Sequence, residues 1–486
     1  MIYKLRPYQE ECVKSISDYI NSDRHYPVLI VGPVGCGKSL LIAEAARLMG
    51  DKTLILQPSK ELLQQNHNKI TSYGIPATIY SASCGKKELS NMIYATLGSI
   101  KKVVGQLKEV GIRNVLIDEA HAGYSPEDGS EFMTFMNELK PKKVIGFTAT
   151  PCRLKTMSIG QVSYSQLNFI TRMRPVYFKN LIHVIQVEEM IRQGFWTPLK
   201  YETWDFNGDA LKLNSNGSEY TAESISEAVR KNGLNNLILR RLMVLKDVCR
   251  SILVFMDSVE SCNTAAEWMN AKICAGMAEV VHGGTPKKQR EAIVEGFKSG
   301  KTKVVFNYSA LGTGFDHPGL DCVIVGRPTF SFSSFYQWLG RAVRIKDGKD
   351  SALVVDCCNN SSRFGDIREL SIENYKGYGW GMFIGDKLIT NIPMGDKVTK
   401  TDLDIKAAKK DRRRGLAQGV TAAPVPGRPD HPLGSTVMTF GKYCGWMFHS
   451  IPVSYFKFIN ETFDWDNDRN KDIKEYIDFL IKNNRL

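Results

Sequence analysis

No run of 18 or more uninterrupted apolar residues occurs in the 486-residue chain, so no segment is built to cross a bilayer as a helix. The opening residues MIYKLRPYQE lack the apolar core of a secretory signal, which predicts a chain that stays in the compartment where it is made. None of the 11 cysteines forms a C-x-x-C pair, which excludes a zinc ribbon and a thioredoxin-type redox site. They stand singly except for Cys357 and Cys358, and the expectation is reduced, mostly buried thiols in a cytoplasm. Apart from two similar α/β halves, no internal repeat of about 20–50 residues is evident.

What is present is an ordinary globular mixture. Hydrophobic residues make up 43% and charged residues 24%, too apolar for a disordered chain. At roughly 150 residues per domain the length suggests about three domains. Lys plus Arg number 64 against 51 Asp plus Glu, a net charge of +13. Such an excess attracts polyanions, although solubility alone accounts for it equally well.

Short apolar runs alternate with helical periodicity over residues 1–150. PVLIVG, KTLILQP, NVLIDEA and KKVIGFTAT are continuous apolar runs of strand length, as parallel strands covered on both faces require. The segment SLLIAEAARLM between the first two has helical spacing. This alternation predicts a doubly wound α/β domain. A second one is expected over 235–360, from SILVFMD, EVVHG, KVVFNYS, DCVIVGRP and SALVVDC. Residues 151–234 form a connecting segment, with HVIQVEEMIRQGF read as one helix ending at Gly194 and a turn at Asn207-Gly208-Asp209. Residues 361–434 are an extension; from 395 on they read as a linker with Pro424, Pro426, Pro429, Pro432 and a basic cluster around Arg412. Residues 435–486 regain apolar content, and Ile473, Tyr476, Ile477, Leu480 and Ile481 define an amphipathic last helix.

Residues 32–39 read GPVGCGKS, the G-x-x-x-x-G-K-S pattern between a strand and a helix. Gly32, Gly35 and Gly37, with Cys36 among them, let backbone N–H groups close around phosphate oxygens, aided by the helix dipole. Lys38 is expected to reach the β- and γ-phosphates, and the Ser39 hydroxyl to ligate Mg²⁺. LIDEAH ends a second apolar strand; Asp118 is placed to hold the metal through water and Glu119 to polarise the attacking water. Thr148-Ala149-Thr150 follows the next strand. In QWLGRAVR, intervals of four and three put Gln337, Arg341 and Arg344 on one helix face, suited to delivering charge to a transferring phosphate.

In this order the motifs resemble superfamily-2 helicases of the DEAH-box type. RPYQ (6–9) resembles the N-terminal glutamine motif; the resemblance implies that Arg6 and Gln9 meet the adenine, whose edge matches the Gln9 amide. LQPSKELLQQN, ATLGSI, ILVFMDSVESC and NYSALGTGFDHP resemble motifs Ia, Ib, IV and V. The last of these, with GRPTFSFSSFYQWLGRAVR and HVIQVEEMIRQGFWTP, is similar to the bacterial RadD-like branch and its restriction-helicase relatives. The likeness covers residues 3–360 and implies two RecA-like domains with ATP in the cleft between them. It implies Ser59, Lys60, Thr96, Ser309 and Thr313 as backbone contacts to a single strand, and His121, Thr148 and Thr150 as couplers. Gly314 and Asp316 would approach the nucleotide from the second domain. The location it implies is the cytosol of a bacterium or of a phage-infected host.

The expectation is an ATP- and Mg²⁺-dependent DNA helicase or translocase on single-stranded, branched or forked DNA in repair, recombination or replication. It is expected to work as a monomer, away from membranes, with recombination or single-strand-binding proteins as partners. The alternatives are an RNA helicase, since sugar-phosphate contacts separate DNA from RNA poorly, and an ATP-switched binding subunit without processive unwinding. The tail departs from the RadD-like pattern, which carries cysteine-rich zinc segments. TVMTFGKYCGWMFHSIPVSYFKFI instead resembles a small family described as quorum-sensing-regulated virulence factors. Either it is a structural cap, or Lys442, Tyr443, Trp446 and Lys457 grip nucleic acid.

Overall fold

The structure, a computed structural model, describes residues 4–50, 52–122, 124, 126–127, 129–159, 162–312, 315–407, 431–436, 438, 443, 447–462 and 471–483. The apolar runs become strands because β-branched and aliphatic side chains pack on both faces of a sheet that helices cover. Val28–Val31 and Thr53–Leu56 are buried at every position.

The first sheet has eight strands, in the order Asn180–Val184, Val28–Val31, Lys143–Thr148, Asn114–Ile117, Thr53–Leu56, Met92–Ala95, Thr78–Ser81 and Lys86–Lys87. All pairs are parallel except the last. The second sheet is parallel throughout, in the order Leu199–Thr203, Ala352–Asp356, Cys322–Val325, Ile252–Phe255, Val304–Tyr308 and Ala278–His282. The chain is therefore an α/β protein with two tandem RecA-like parallel-sheet domains, followed by a small module. In open sheets of this kind the crevice beyond the carboxyl ends of the strands is where ligands bind.

The segment 151–234 is more structured than its composition suggests. Cys152–Ile159 and Val162–Phe169 form a long antiparallel hairpin. HVIQVEEMIRQGF is not one helix: Asn180–Val184 pairs with Val28–Val31, and only Val187–Arg192 is helical. The β-branched residues of NLIHV find an open sheet edge there, and edge pairing outweighs the helical spacing. Gly194, at φ +72°, then turns the chain towards Leu199–Thr203 in the second sheet. Leu370–Tyr375, Gly379–Ile384 and Lys387–Leu388 add a small antiparallel sheet inside the expected extension.

Residues up to Val398, except Lys376–Tyr378, make one compact unit; Lys376–Tyr378 and Thr399–Leu486 make a second. In the second unit residues 400–407 are helical, within the stretch read as linker, while 408–430 lie outside the described residues. Its core sets Phe448, Ile451 and Phe456 on Ile473, Tyr476 and Leu480. Ile481, expected on the buried face of the helix Lys471–Lys482, is 48% exposed. Tyr443 packs edge-on against Tyr455 at 4.8 Å and Lys457 is exposed, whereas Lys442 and Trp446 lie outside the described residues. Among the described residues, no helix is long and apolar enough to cross a membrane.

One buried cation anchors the helix Pro7–Asn21 that carries Gln9. Lys143 Nζ donates to the carbonyls of Tyr19, Ser22 and Arg24 at 2.9, 2.6 and 2.7 Å, where the helix ends with unsatisfied acceptors. Lys143→Met is expected to orphan these carbonyls and lower stability by about 1–3 kcal/mol, read as a fall in thermal midpoint.

Candidate nucleotide site and interdomain cleft

The central strand Val28–Val31 delivers the chain into the loop 32–37, and Lys38–Met49 continues as a helix. Gly32 donates its N–H to Thr148 O at 3.0 Å, tying the loop to the end of the neighbouring strand. Gly37 stands at φ +82° as the residue before the helix, and a Cβ there would lie 2.5 Å from Gln9 Nε2. Both the left-handed backbone and the close approach require glycine. Burial pushes the Cys36 thiol up to about 11, so it is an apolar packing element of the loop.

Lys38 and Ser39 occupy the first turn of this helix. Lys38 Nζ donates to Glu119 Oε1 and lies 3.9 Å from Asp118 Oδ1. Burial opposes charge on Lys38, but the two carboxylates more than offset it and hold the amine above its ordinary value. Burial likewise raises Glu119, yet Lys38, His121 and Arg341 prevail and hold it below the usual carboxylate value. Asp118 is pushed up to about 6 by burial, against the pull of Lys38. Glu119 sits in the left-handed region at φ +46°, its N–H donating to Asp118 Oδ1 at 2.9 Å. For a non-glycine residue that backbone costs about 1–3 kcal/mol and is found chiefly at functional sites.

Asn66 joins the two candidate metal-binding side chains. Its Oδ1 accepts from Ser39 Oγ at 2.7 Å, and its Nδ2 donates to Asp118 Oδ2 at 3.0 Å and to Gln57 Oε1 at 3.1 Å. The sequence reading missed it, although it closes the motif LQPSKELLQQN. Among the described residues no group of three or more His, Cys, Asp or Glu side chains could hold a metal unaided. One hydroxyl and one carboxylate fit Mg²⁺, a hard ion that takes its remaining oxygens from phosphates and water.

At the other end of the loop the Gln9 amide is engaged twice. Nε2 donates to Cys36 O at 2.9 Å and Oε1 accepts from Arg6 N at 3.0 Å. In this arrangement Gln9 secures the phosphate loop, leaving one amide hydrogen and one lone pair for a base. Tyr8 donates to Cys36 O at 3.2 Å, and the Arg6 guanidinium lies 4.6 Å from the Phe195 ring centroid.

The arginines differ from the sequence expectation. The helix Phe332–Leu339 carries Gln337 but ends before Gly340, so Arg341 and Arg344 lie in the following turn and not on a continued helical face. Gly340 lies close against the loop 32–37, where a Cβ would meet Val34 Cγ2 at 2.3 Å, so only glycine allows this approach. Arg341 donates to Gln337 O at 3.2 Å and Phe315 O at 2.5 Å; burial and Arg344 push it down to about 10, leaving it charged at neutral pH. Arg344 pairs with Asp316 at 3.5 Å.

His121 Nδ1 meets Thr148 Oγ1 of its own domain at 2.8 Å, and across the cleft His121 Nε2 meets Ser333 Oγ at 3.1 Å. Ser333 in turn meets Thr150 Oγ1 at 3.0 Å. Burial pulls His121 down to about 4, so at neutral pH one ring nitrogen donates and the other accepts. Ser333, also missed from sequence, closes this interdomain circuit.

The remaining predicted contacts scatter. Ser59, Glu119, His121, Arg153, Ser333 and Gln337 line a cleft of about 730 Å³. Lys60 and Asp316 line a second one of about 400 Å³, together with Lys287, Arg290 and Lys298. Ser59 Oγ caps a helix by accepting from Leu62 N at 3.3 Å; Thr96 Oγ1 is engaged with Ser81 and Ser99. Ser309 stands at φ +53°. Thr313 and Gly314 lie outside the described residues.

Comparison with known proteins agrees with this arrangement. Residues 2–153 match the family model for the res subunit of type III restriction enzymes, and residues 235–346 match the helicase conserved C-terminal domain. The two matches fall on the two parallel-sheet domains. The chain is 25% identical over 332 residues to a 51.5 kDa protein of Lactococcus phage (isolate 7-9), covering 68% of this chain and 65% of that protein. It is 24% identical over 381 residues to the DNA 3'-5' translocase XPB2 of Sulfurisphaera tokodaii, covering 72% and 81%. A Saccharomyces cerevisiae protein that carries the name ATP-dependent helicase IRC3 is 24% identical, with 57% of this chain and 38% of that protein covered. The chain thus spans less than two thirds of the phage and yeast relatives. The DNA-bound type ISP restriction-modification enzyme LlaBIII shares the fold at a TM-score of 0.54 and 15% identity, over 87% of this chain and 30% of its own.

Gly37→Ala places a Cβ against Gln9 and strains the loop. It is expected to weaken binding of a fluorescent adenine nucleotide by roughly tenfold or more, given the 1–2 kcal/mol that a left-handed alanine costs. Unchanged nucleotide affinity would show that the loop does not form the phosphate cradle.

Proposed function

We propose that the protein is an ATP-driven motor on nucleic acid, a helicase or translocase that acts on single-stranded, branched or forked DNA in repair, recombination or replication. The observation that carries this reading is the hydrogen-bonded circuit His121–Ser333–Thr150. It links the acidic pair beside the phosphate loop to the second domain. A P-loop enzyme that only moves a phosphate between small molecules has no use for that link.

In this reading Lys38 neutralises the β- and γ-phosphates, and Glu119, released from Lys38 as the lysine turns to phosphate, accepts a proton from the attacking water. Mg²⁺, held through Ser39 and Asp118, would supply charge neutralisation at the phosphates when bound. Arg341 and Arg344 bring positive charge from the second domain as the cleft closes. The circuit through His121 then reports closure to the strand-facing elements, with Ser59 and Lys60 on one side and Ser309 on the other.

The residues 118–121 read Asp-Glu-Ala-His and the RadD-like resemblance supports a DEAH-box assignment; the DNA-acting relatives support DNA over RNA. The test is ATP turnover with single-stranded, forked and four-way DNA and with RNA. Stimulation by RNA alone would overturn the DNA assignment, and binding without turnover would leave an ATP-switched subunit. Lys38→Ala is expected to abolish turnover, and Glu119→Gln to stop chemistry while keeping nucleotide affinity. Affinity for DNA is expected to fall with salt by roughly one log-log slope unit for each phosphate neutralised.

A further inference from the structure

Where the chain crosses from the first sheet to the second, three consecutive residues touch three different parts of the nucleotide site. Phe195 lies 5.2 Å from the Tyr8 ring, edge-on, and under the Arg6 guanidinium. Trp196 is 2% exposed, and its indole Nε1 donates to Val34 O in the phosphate loop at 2.8 Å. Thr197 is also 2% exposed; its N–H donates to Val343 O at 2.9 Å and its hydroxyl to Arg344 O at 2.7 Å. A Cβ on Gly35 would lie 3.4 Å from both Trp196 Nε1 and Val343 Cγ2, so linker, phosphate loop and arginine turn meet at one point.

We propose that Trp196 and Thr197 are positioning residues that carry the state of the phosphate loop directly to the arginine turn. This rests on the motor reading above and adds a second, covalent route between the domains beside the His121–Ser333 circuit. A buried indole held by one hydrogen bond moves with the carbonyl it serves, because breaking the bond strands both partners away from water. A change in Val34 on nucleotide entry therefore displaces Trp196, and Thr197, one peptide bond on, must displace Arg344 with it. The turn is also held from its own domain: Lys349 Nζ donates to Ala342 O at 2.7 Å, to Pro318 O at 3.2 Å and, at 2.8 Å, to Arg344 O, the carbonyl that Thr197 also serves. The arginine turn is thus suspended between a rigid lysine staple of its own domain and a moving linker. Losing the linker bond leaves its carbonyl satisfied by Lys349, so the fold survives while the coupling does not.

The experiment uses the full chain and compares wild type with Thr197→Val, Thr197→Ser and Trp196→Phe. Thermal melting is recorded for each, with ATP turnover at saturating single-stranded DNA. Thr197→Val keeps shape and deletes one donor; Trp196→Phe keeps an aromatic and deletes the other. Both are expected to lower kcat by roughly tenfold or more with KM for ATP unchanged within about twofold, as misplaced catalytic groups do. Thr197→Ser is expected to restore wild-type kcat. Wild-type kcat in Thr197→Val would overturn the proposal, as would a serine variant as slow as the valine one, or kcat and KM moving together. If Thr197→Val melts early, Trp196→Phe alone decides by the same kcat and KM split. A wild type without turnover would sink the motor reading itself, whereas an active wild type with indifferent variants sinks only this coupling.

Discussion

Everything at the site depends on holding one short loop of backbone, residues 32–37, against three bodies at once. A phosphate cradle needs its N–H groups aimed inward, which leaves the loop's carbonyls facing outward and in need of partners. Two of them are met from different elements. Gln9 and Tyr8 serve Cys36 O from the N-terminal helix, and Trp196 serves Val34 O from the linker. Gly340 of the second domain closes on Val34 with no room for a side chain. The N-terminal helix, the linker and the second domain therefore all contact this one loop.

Electrostatics follow from the same crowding. Asp118, Glu119 and Lys38 are buried together, and one ammonium cannot fully compensate two carboxylates. The result is asymmetric: Glu119, in direct contact with Lys38, is held ionised, while burial lifts Asp118 to about 6. A site of this kind is prepared for added positive charge, which Mg²⁺ and the second-domain arginines are suited to bring. His121, pulled down to about 4 and neutral at neutral pH, serves as a hydrogen-bond relay without adding a charge to an already crowded pocket.

The small module stands apart in kind. Among the described residues its core packs Phe448 and Phe456 on Tyr476 and Leu480. Of the residues singled out there from sequence, Tyr443 spends its ring on Tyr455, which favours packing for that side chain over base stacking.

The sequence by itself determined the fold class and the local frame of the site. Short continuous apolar runs alternating with helical segments fit parallel strands covered on both faces, and G-x-x-x-x-G-K-S needs glycine where its backbone is left-handed, as at Gly37. Those are local constraints, legible wherever they occur. What the tertiary structure decided is everything that depends on partners distant in sequence. HVIQVEEMIRQGF reads as one helix, but its first residues, His183 and Val184, met an open sheet edge beside Val28–Val31, and pairing prevailed. Arg341 and Arg344 have the spacing of a helical face, but the helix ends at Leu339, with Gly340 set close against Val34. Asn66, Ser333, Trp196 and Thr197 lie inside sequence motifs, yet nothing in those motifs names their partners. Their roles come from carbonyls and hydroxyls up to 212 residues away, as in the Ser333–His121 bond, and no periodicity encodes such a distance.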